Sequence, residues 1–109
     1  MKKLIQFICY FLCYSYSEEI LINSYISGNQ RDPNTAYNSL GDFVIVWKSE
    51  LSNNGQSDIR ARLYNNSIDP ITDEIAVSQQ NAINESPRVA MNDQNNFVVV
   101  WAILEDDFN

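Results

Sequence analysis

The sequence predicts an all-β chain of antiparallel four-stranded blade repeats, a β-propeller-like fragment, with a β-sandwich as the alternative. Three observations carry that expectation. Phe43-Val44-Ile45-Val46-Trp47 returns as Phe97-Val98-Val99-Val100-Trp101, 54 residues later. Between the copies lie short β-branched or alternating runs bounded by Asn, Gly and Pro clusters, which are strand and turn signals. A period of this size falls near the range of propellers and arrays, whereas a sandwich needs no such repeat.

Residues 1–17 read as a secretory signal peptide. Lys2 and Lys3 form a basic start, Leu4 to Tyr14 an apolar stretch, and Ser15-Tyr16-Ser17 a small-x-small cleavage site. As a membrane anchor the apolar stretch would cover only about half of a ~30 Å hydrocarbon core, and Glu18-Glu19 stop its extension. Cys9 and Cys13 are the only cysteines and leave with the signal. The mature chain then has no disulfide or thiol nucleophile, although a secreted, extracellular location permits disulfides. Histidine is absent, which removes the commonest general base and metal ligand. Without Lys2 and Lys3 the charge is 5 basic against 14 acidic residues, or −9. That sign repels phosphate backbones and argues against nucleic-acid partners.

Residues 18–32 read as the last strand of a partial unit plus a loop. Glu18-Glu19-Ile20-Leu21-Ile22-Asn23 parallels Asp73-Glu74-Ile75-Ala76-Val77-Ser78, and Ser27 to Pro33 is loop by composition. A complete repeat spans residues 33–86, and residues 87–109 begin a second, truncated one. Pro33 pairs with Pro87, Ala36 with Ala90 and Asn38 with Asn92, and seven of 23 overlapping positions are identical. Strands are expected at Asn34–Asn38, Phe43–Trp47, Asp58–Tyr64 and Glu74–Ser78, then at Arg88–Asn92 and Phe97–Trp101. Asn54-Gly55 marks a hairpin, because both residues tolerate φ > 0. The Phe-to-Trp runs are apolar on both faces, so each must be covered by two layers. Asparagine occurs 14 times, and the excess reads as compositional drift.

The pattern Pro-x-x-Ala-x-Asn, Phe-Val-Val-Val-Trp, an Asn-Gly hairpin, Ile-x-Ala-Arg-x-Tyr and Glu-Ile-x-Val-Ser resembles the tandem repeats of large secreted or cell-surface proteins. The resemblance covers residues 18–109. It implies propeller blades, often in chains that also carry cadherin-like or calcium-binding modules, and no single chemistry. Two functional variants of such blades do not match. The Asp-x-Asp-x-Asp-Gly calcium loop of integrin-type blades is not formed by Asp93-Gln94-Asn95-Asn96 or Glu105-Asp106-Asp107. The Ser-x-Asp-x-Gly-x-x-Trp motif of sialidase-type blades does not fit Ser52 to Asp58.

Trp47 and Trp101 could stack on sugar rings, but their place in a repeating apolar run favours packing between layers. Glu105-Asp106-Asp107 offers hard oxygen ligands for calcium, yet aligns with Leu51-Ser52-Asn53 of the first copy and reads as a solvated hairpin loop. Nothing places two carboxylates at the spacing glycoside hydrolysis needs. No catalytic residue, cofactor or metal site is therefore assigned. Asn65-Asn66-Ser67 and Asn84-Glu85-Ser86 are N-glycosylation sequons, the second weakened by Pro87.

The expected function is a non-catalytic extracellular structural, adhesion or binding module. The alternative is a carbohydrate-binding or glycoside-hydrolase-like propeller whose active site lies on other blades. The sequence stops at Asn109, the counterpart of Gly55, and reads as the N-terminal fragment of a longer repeat protein. Its partners are expected to be further repeats, a cell-surface protein or a glycan. Open apolar faces and strand edges lead to an expectation of self-association.

Overall fold

In the computed structural model, which describes residues 19–24, 28–50, 55–78 and 82–105, the chain is all-β. Its strands are β1 (Asn29–Tyr37), β2 (Phe43–Glu50), β3 (Ser57–Tyr64), β4 (Ile75–Ala76), β5 (Ile83–Met91) and β6 (Phe97–Leu104). They form one mixed, open sheet in the order β1-β2-β3-β5-β6, with β4 paired to β3. The meander β1-β2-β3-β4 is antiparallel throughout, as is the hairpin β5–β6. A single parallel pair, Ser57 with Ile83, joins the two. The signal segment 1–17, with Cys9 and Cys13, lies outside the described residues, as do Asn54, Asp106 and Asp107.

Three differences from the sequence expectation have identifiable causes. β1 and β5 each begin five residues earlier than expected, before Pro33 and Pro87. A β-bulge carries each strand across its proline: the register shifts between Arg31 and Asn34 and between Glu85 and Arg88. Asp32 and Ser86, directly before the prolines, both have φ of 54°. The bulge accommodates a residue that cannot donate to the ladder, so proline marks a kink here and not a boundary. β4 is shorter than expected, because the amides of Val77 and Ser78 converge on the Ile59 carbonyl. Residues 19–24 do not form the expected strand. They run as irregular chain, with the Ile22 carbonyl accepting from Arg62 Nη1 (3.1 Å) and Tyr64 Oη (3.3 Å).

Three turns share one device. Asn38 Oδ1 accepts from the amides of Leu40 and Asp42 at 3.0 and 3.1 Å. Asn65 Oδ1 does the same with Ser67 and Asp69, and Asn92 Oδ1 with Gln94 and Asn96. In each, the fourth residue returns its amide to the Asn carbonyl and takes a positive φ: Gly41 (84°), Ile68 (67°) and Asn95 (62°). Asparagine suits the role because its short amide caps its own following backbone. These three asparagines are turn anchors, not compositional drift.

The sheet folds back on itself into two layers. Val44, Val46, Ala61 and Leu63 form the buried cluster, and Val89, Met91, Phe97 and Val99 of the second hairpin pack against it with Ala36, Ile75 and Val77. This face-to-face arrangement satisfies one side of β2. The other side carries Phe43, stacked on Tyr64 with ring centroids 5.2 Å apart, and then Ile45 and Trp47.

Ile68 is β-branched in a left-handed conformation, which costs of order 1–3 kcal/mol. Ile68→Gly is expected to stabilise the fold by about 1 kcal/mol after the added chain entropy of glycine, read as a higher urea midpoint. Asn38→Ala leaves two turn amides and a cross-layer contact without their partner and should cost about 2–3 kcal/mol.

Candidate functional site

The most developed surface on the molecule is the contact between its two hairpins, and it is built from equivalent positions. The β1–β2 turn lies on the β5–β6 turn. Asn38 Nδ2 donates to Asn95 Oδ1 (2.6 Å) and to the Asn92 carbonyl (3.3 Å). Asn95 Nδ2 donates to Asp42 Oδ2 (2.9 Å), and the Ser39 amide to Asp93 Oδ1 (2.9 Å). Farther along, the Val89 amide donates to Asn34 Oδ1 (2.9 Å). At the far end Lys48, almost buried, pairs with Glu85 at 3.1 Å and with Glu50 at 3.5 Å. Apolar packing holds the middle of this contact and amide side chains hold one end.

The contact is directional. On β2 the inward face is Val44 and Val46, both wholly buried. On β6 the inward face is Phe97 and Val99, the counterparts of Phe43 and Ile45. Val98 and Val100, the counterparts of Val44 and Val46, point away and are each 60% exposed. One hairpin thus presents its Val face to the Phe face of the next. That leaves a Phe face open on β1–β2 and a Val face open on β5–β6.

Both tryptophans end in the same bond. Trp47 Nε1 donates to Gln30 Oε1 and Trp101 Nε1 to Asn84 Oδ1, each at 2.9 Å and each 17 residues apart. Trp47 is only 4% exposed. A half-buried indole N–H needs an acceptor, and a side-chain amide on the neighbouring strand supplies it in both hairpins. Sequence reading missed this pairing, because Gln30 and Asn84 are not identical; the shared 17-residue offset was the available signal.

The sequons occupy different surroundings. Asn65, itself half-buried, opens the exposed β3–β4 turn with its Oδ1 engaged. Asn84 is 1% exposed and its Nδ2 donates to the Ser57 carbonyl at 2.7 Å, while Ser57 Oγ bridges the Asn84 backbone. Glu105 is exposed.

Two further features bear on chemistry. Asp58, buried, accepts from Arg60 Nη2 at 3.1 Å. Glu74 Oε2 accepts from the amide and hydroxyl of Ser24, and its other oxygen lies 3.9 Å from Arg60. Arg60 pairs closely with Asp58 and more distantly with Glu74, and the Ser24–Glu74 bonds tie the 19–24 segment to this group beside β3. Beside it, Ile22, Asn23, Gln30, Arg31, Pro33, Ile45 and Trp47 line a hollow of about 250 Å³. Among the described residues no group of three or more Asp, Glu, His or Cys could hold a metal ion. Among them, too, no helix is long and apolar enough to cross a membrane.

The electrostatics of the turn contact are acid-sensitive. Hydrogen bonds from the Ser39 amide and hydroxyl hold the Asp93 carboxyl below the ordinary 3.8. The Asn29 amide, helped by Arg31 and Lys48, holds Glu50 below 4.5. Groups with a lowered folded pKa add stability above their unfolded value and lose it as pH falls through the folded one. Unfolding free energy should therefore fall below about pH 4. Asp93→Asn should reduce that acid-induced loss, as measured by urea titrations at a series of pH values.

No protein-family model matches the chain, and neither a curated protein nor a solved structure matches it significantly.

Proposed function

We propose that this chain is a non-catalytic, extracellular structural or adhesion module made of β-propeller-like repeat units. The observation that carries this reading is the pair of Trp–amide bonds. The most ligand-competent side chains of the repeated pattern, Trp47 and Trp101, are tied by their indole N–H groups to Gln30 and Asn84. A sugar-binding platform needs an uncovered ring face, and Trp47 is almost wholly buried. The remaining recurrent residues support the same reading: the prolines sit at bulges, Asn38 and Asn92 anchor turns, and Val44 and Val46 of the first copy fill the space between layers.

Secretion follows from the signal-like residues 1–17, and Asn65 is the favoured glycan acceptor. Its turn is accessible, whereas the Asn84 amide would have to leave a buried hydrogen bond before modification.

Two measurements test the proposal. The full chain applied to a glycan array should show no specific binding. Saturable sugar binding that disappears in a folded Trp47→Phe variant would overturn it. Expressed in a secretory host, the protein should appear in the medium with one glycan, at Asn65. Ser67→Ala should remove that glycan with less than about 0.5 kcal/mol change in stability, as expected of an exposed site. Retention of the chain inside the cell would refute the extracellular assignment.

A further inference from the structure

Resting on the structural-module reading above, we propose that the open Val face of β5–β6 docks a second copy of this chain. It does so on that copy's open Phe face, in the same head-to-tail arrangement that joins the two hairpins within one chain. The internal contact is the template. There, Val44 and Val46 are covered by Val89, Met91, Phe97 and Val99. Shifted by one repeat, the same contact places Val98 and Val100 against Thr35, Tyr37, Phe43 and Ile45 of the neighbour. Two valines are retained on one side. On the other side, four apolar positions become three apolar residues and a threonine, all on the outward face of β1–β2 by register.

The two surfaces are open at the required places. Val98 and Val100 are 60% exposed and Tyr37 is 79% exposed. A shallow groove of about 420 Å³ runs along Pro33, Thr35, Phe43 and Ile45, and another of about 320 Å³ lies beside Ala90, Phe97 and Val98. Among the described residues, the 19–24 segment lies at the Trp47 end of the Phe face, where Ile22 shares a hollow with Pro33, Ile45 and Trp47 and its carbonyl meets Arg62 and Tyr64; Thr35 and Tyr37, at the other end, are exposed. Solvent-exposed apolar faces of this kind are interaction sites.

The polar part of the template is only partly reproduced, which sets the strength. The Asn38–Asn92 contact has a counterpart in Asn92 and the neighbour's Asn38. The Asp93 acceptor becomes the Ser39 hydroxyl. Asn95, however, is replaced by Gly41, Asn34 by Arg88, and the Lys48–Glu85 pair by Ala102 and Arg31. The association is therefore apolar, weak and reversible. Because the two surfaces differ, it is heterologous and runs into chains or a ring, not a two-fold dimer.

The test uses the full chain and two variants at exposed positions, Tyr37→Glu on the Phe face and Val98→Lys/Val100→Lys on the Val face. Circular dichroism checks that each retains its strand content. In sedimentation velocity the wild type should form concentration-dependent species larger than a dimer, and each variant alone should lose them. An equimolar mixture of the variants should restore a dimer and nothing larger, since one intact Phe face meets one intact Val face. Association unchanged in either variant, or no dimer in the mixture, overturns the proposal; the first result would point to edge pairing of β6 or to the N-terminal residues. Glycan binding, which bears on the structural-module reading, has a separate readout and leaves this result unaffected.

Discussion

A strand that is apolar on both faces has to be covered twice, and β2 is such a strand. Val44 and Val46 on one face are wholly buried, while Ile45 and Trp47 on the other need cover of their own. An alternating strand could rest one face in water; the second face of β2 is apolar too, buried at Trp47 and half-buried at Phe43 and Ile45. The second hairpin covers the Val face, and the 19–24 segment covers part of the Phe face. From this follow the folding back of the sheet, the direction of the hairpin contact and the two faces left open. Hydrophobic burial of ~25 cal/mol per Å² is non-directional, so it explains why the layers close but not how they align.

Alignment comes from side-chain amides. Asn38 uses its oxygen to close its own turn and its nitrogen to reach Asn95 and Asn92 on the other layer. Asn34 receives the Val89 amide from the other layer. Gln30 and Asn84 hold the indoles. Buried polar groups are costly unless bonded, so the Asn38 and Asn34 contacts penalise sliding of one hairpin over the other, while the two Trp–amide bonds fix the strands within each hairpin. The bulges at Asp32 and Ser86 carry β1 and β5 across their prolines and increase the local strand twist.

Much of this was legible in the linear chain. The Phe-to-Trp runs, the Asn-led turns and the alternation of Ile59, Ala61 and Leu63 locate β2, β3 and β6 to within a few residues, because strand periodicity is a local property. Proline misled at β1 and β5, because a bulge that carries the strand past it is stabilised by partners on the other strand. The Glu18–Ile22 stretch resembles Asp73–Val77, yet of the described residues only Ile75–Ala76 forms a strand and 19–22 does not; pairing depends on an available edge, and β4 has that of β3. The Trp–amide bonds were hidden because Gln30 and Asn84 differ in length while delivering an oxygen to the same place.

The amino-acid sequence by itself determined the strand class, the acidic character, the want of histidine and the apolarity of β2 on both faces. These are consequences of composition and of the two-residue period, and need no knowledge of partners. Only the tertiary structure decided which face of each run is covered, that Val98 and Val100 stay open while Val44 and Val46 close, and that Asn84 is buried while Asn65 stands at a turn. The reason is physical: a strand's two faces are set by its own residues, but what lies against each face is settled by where the rest of the chain can pack.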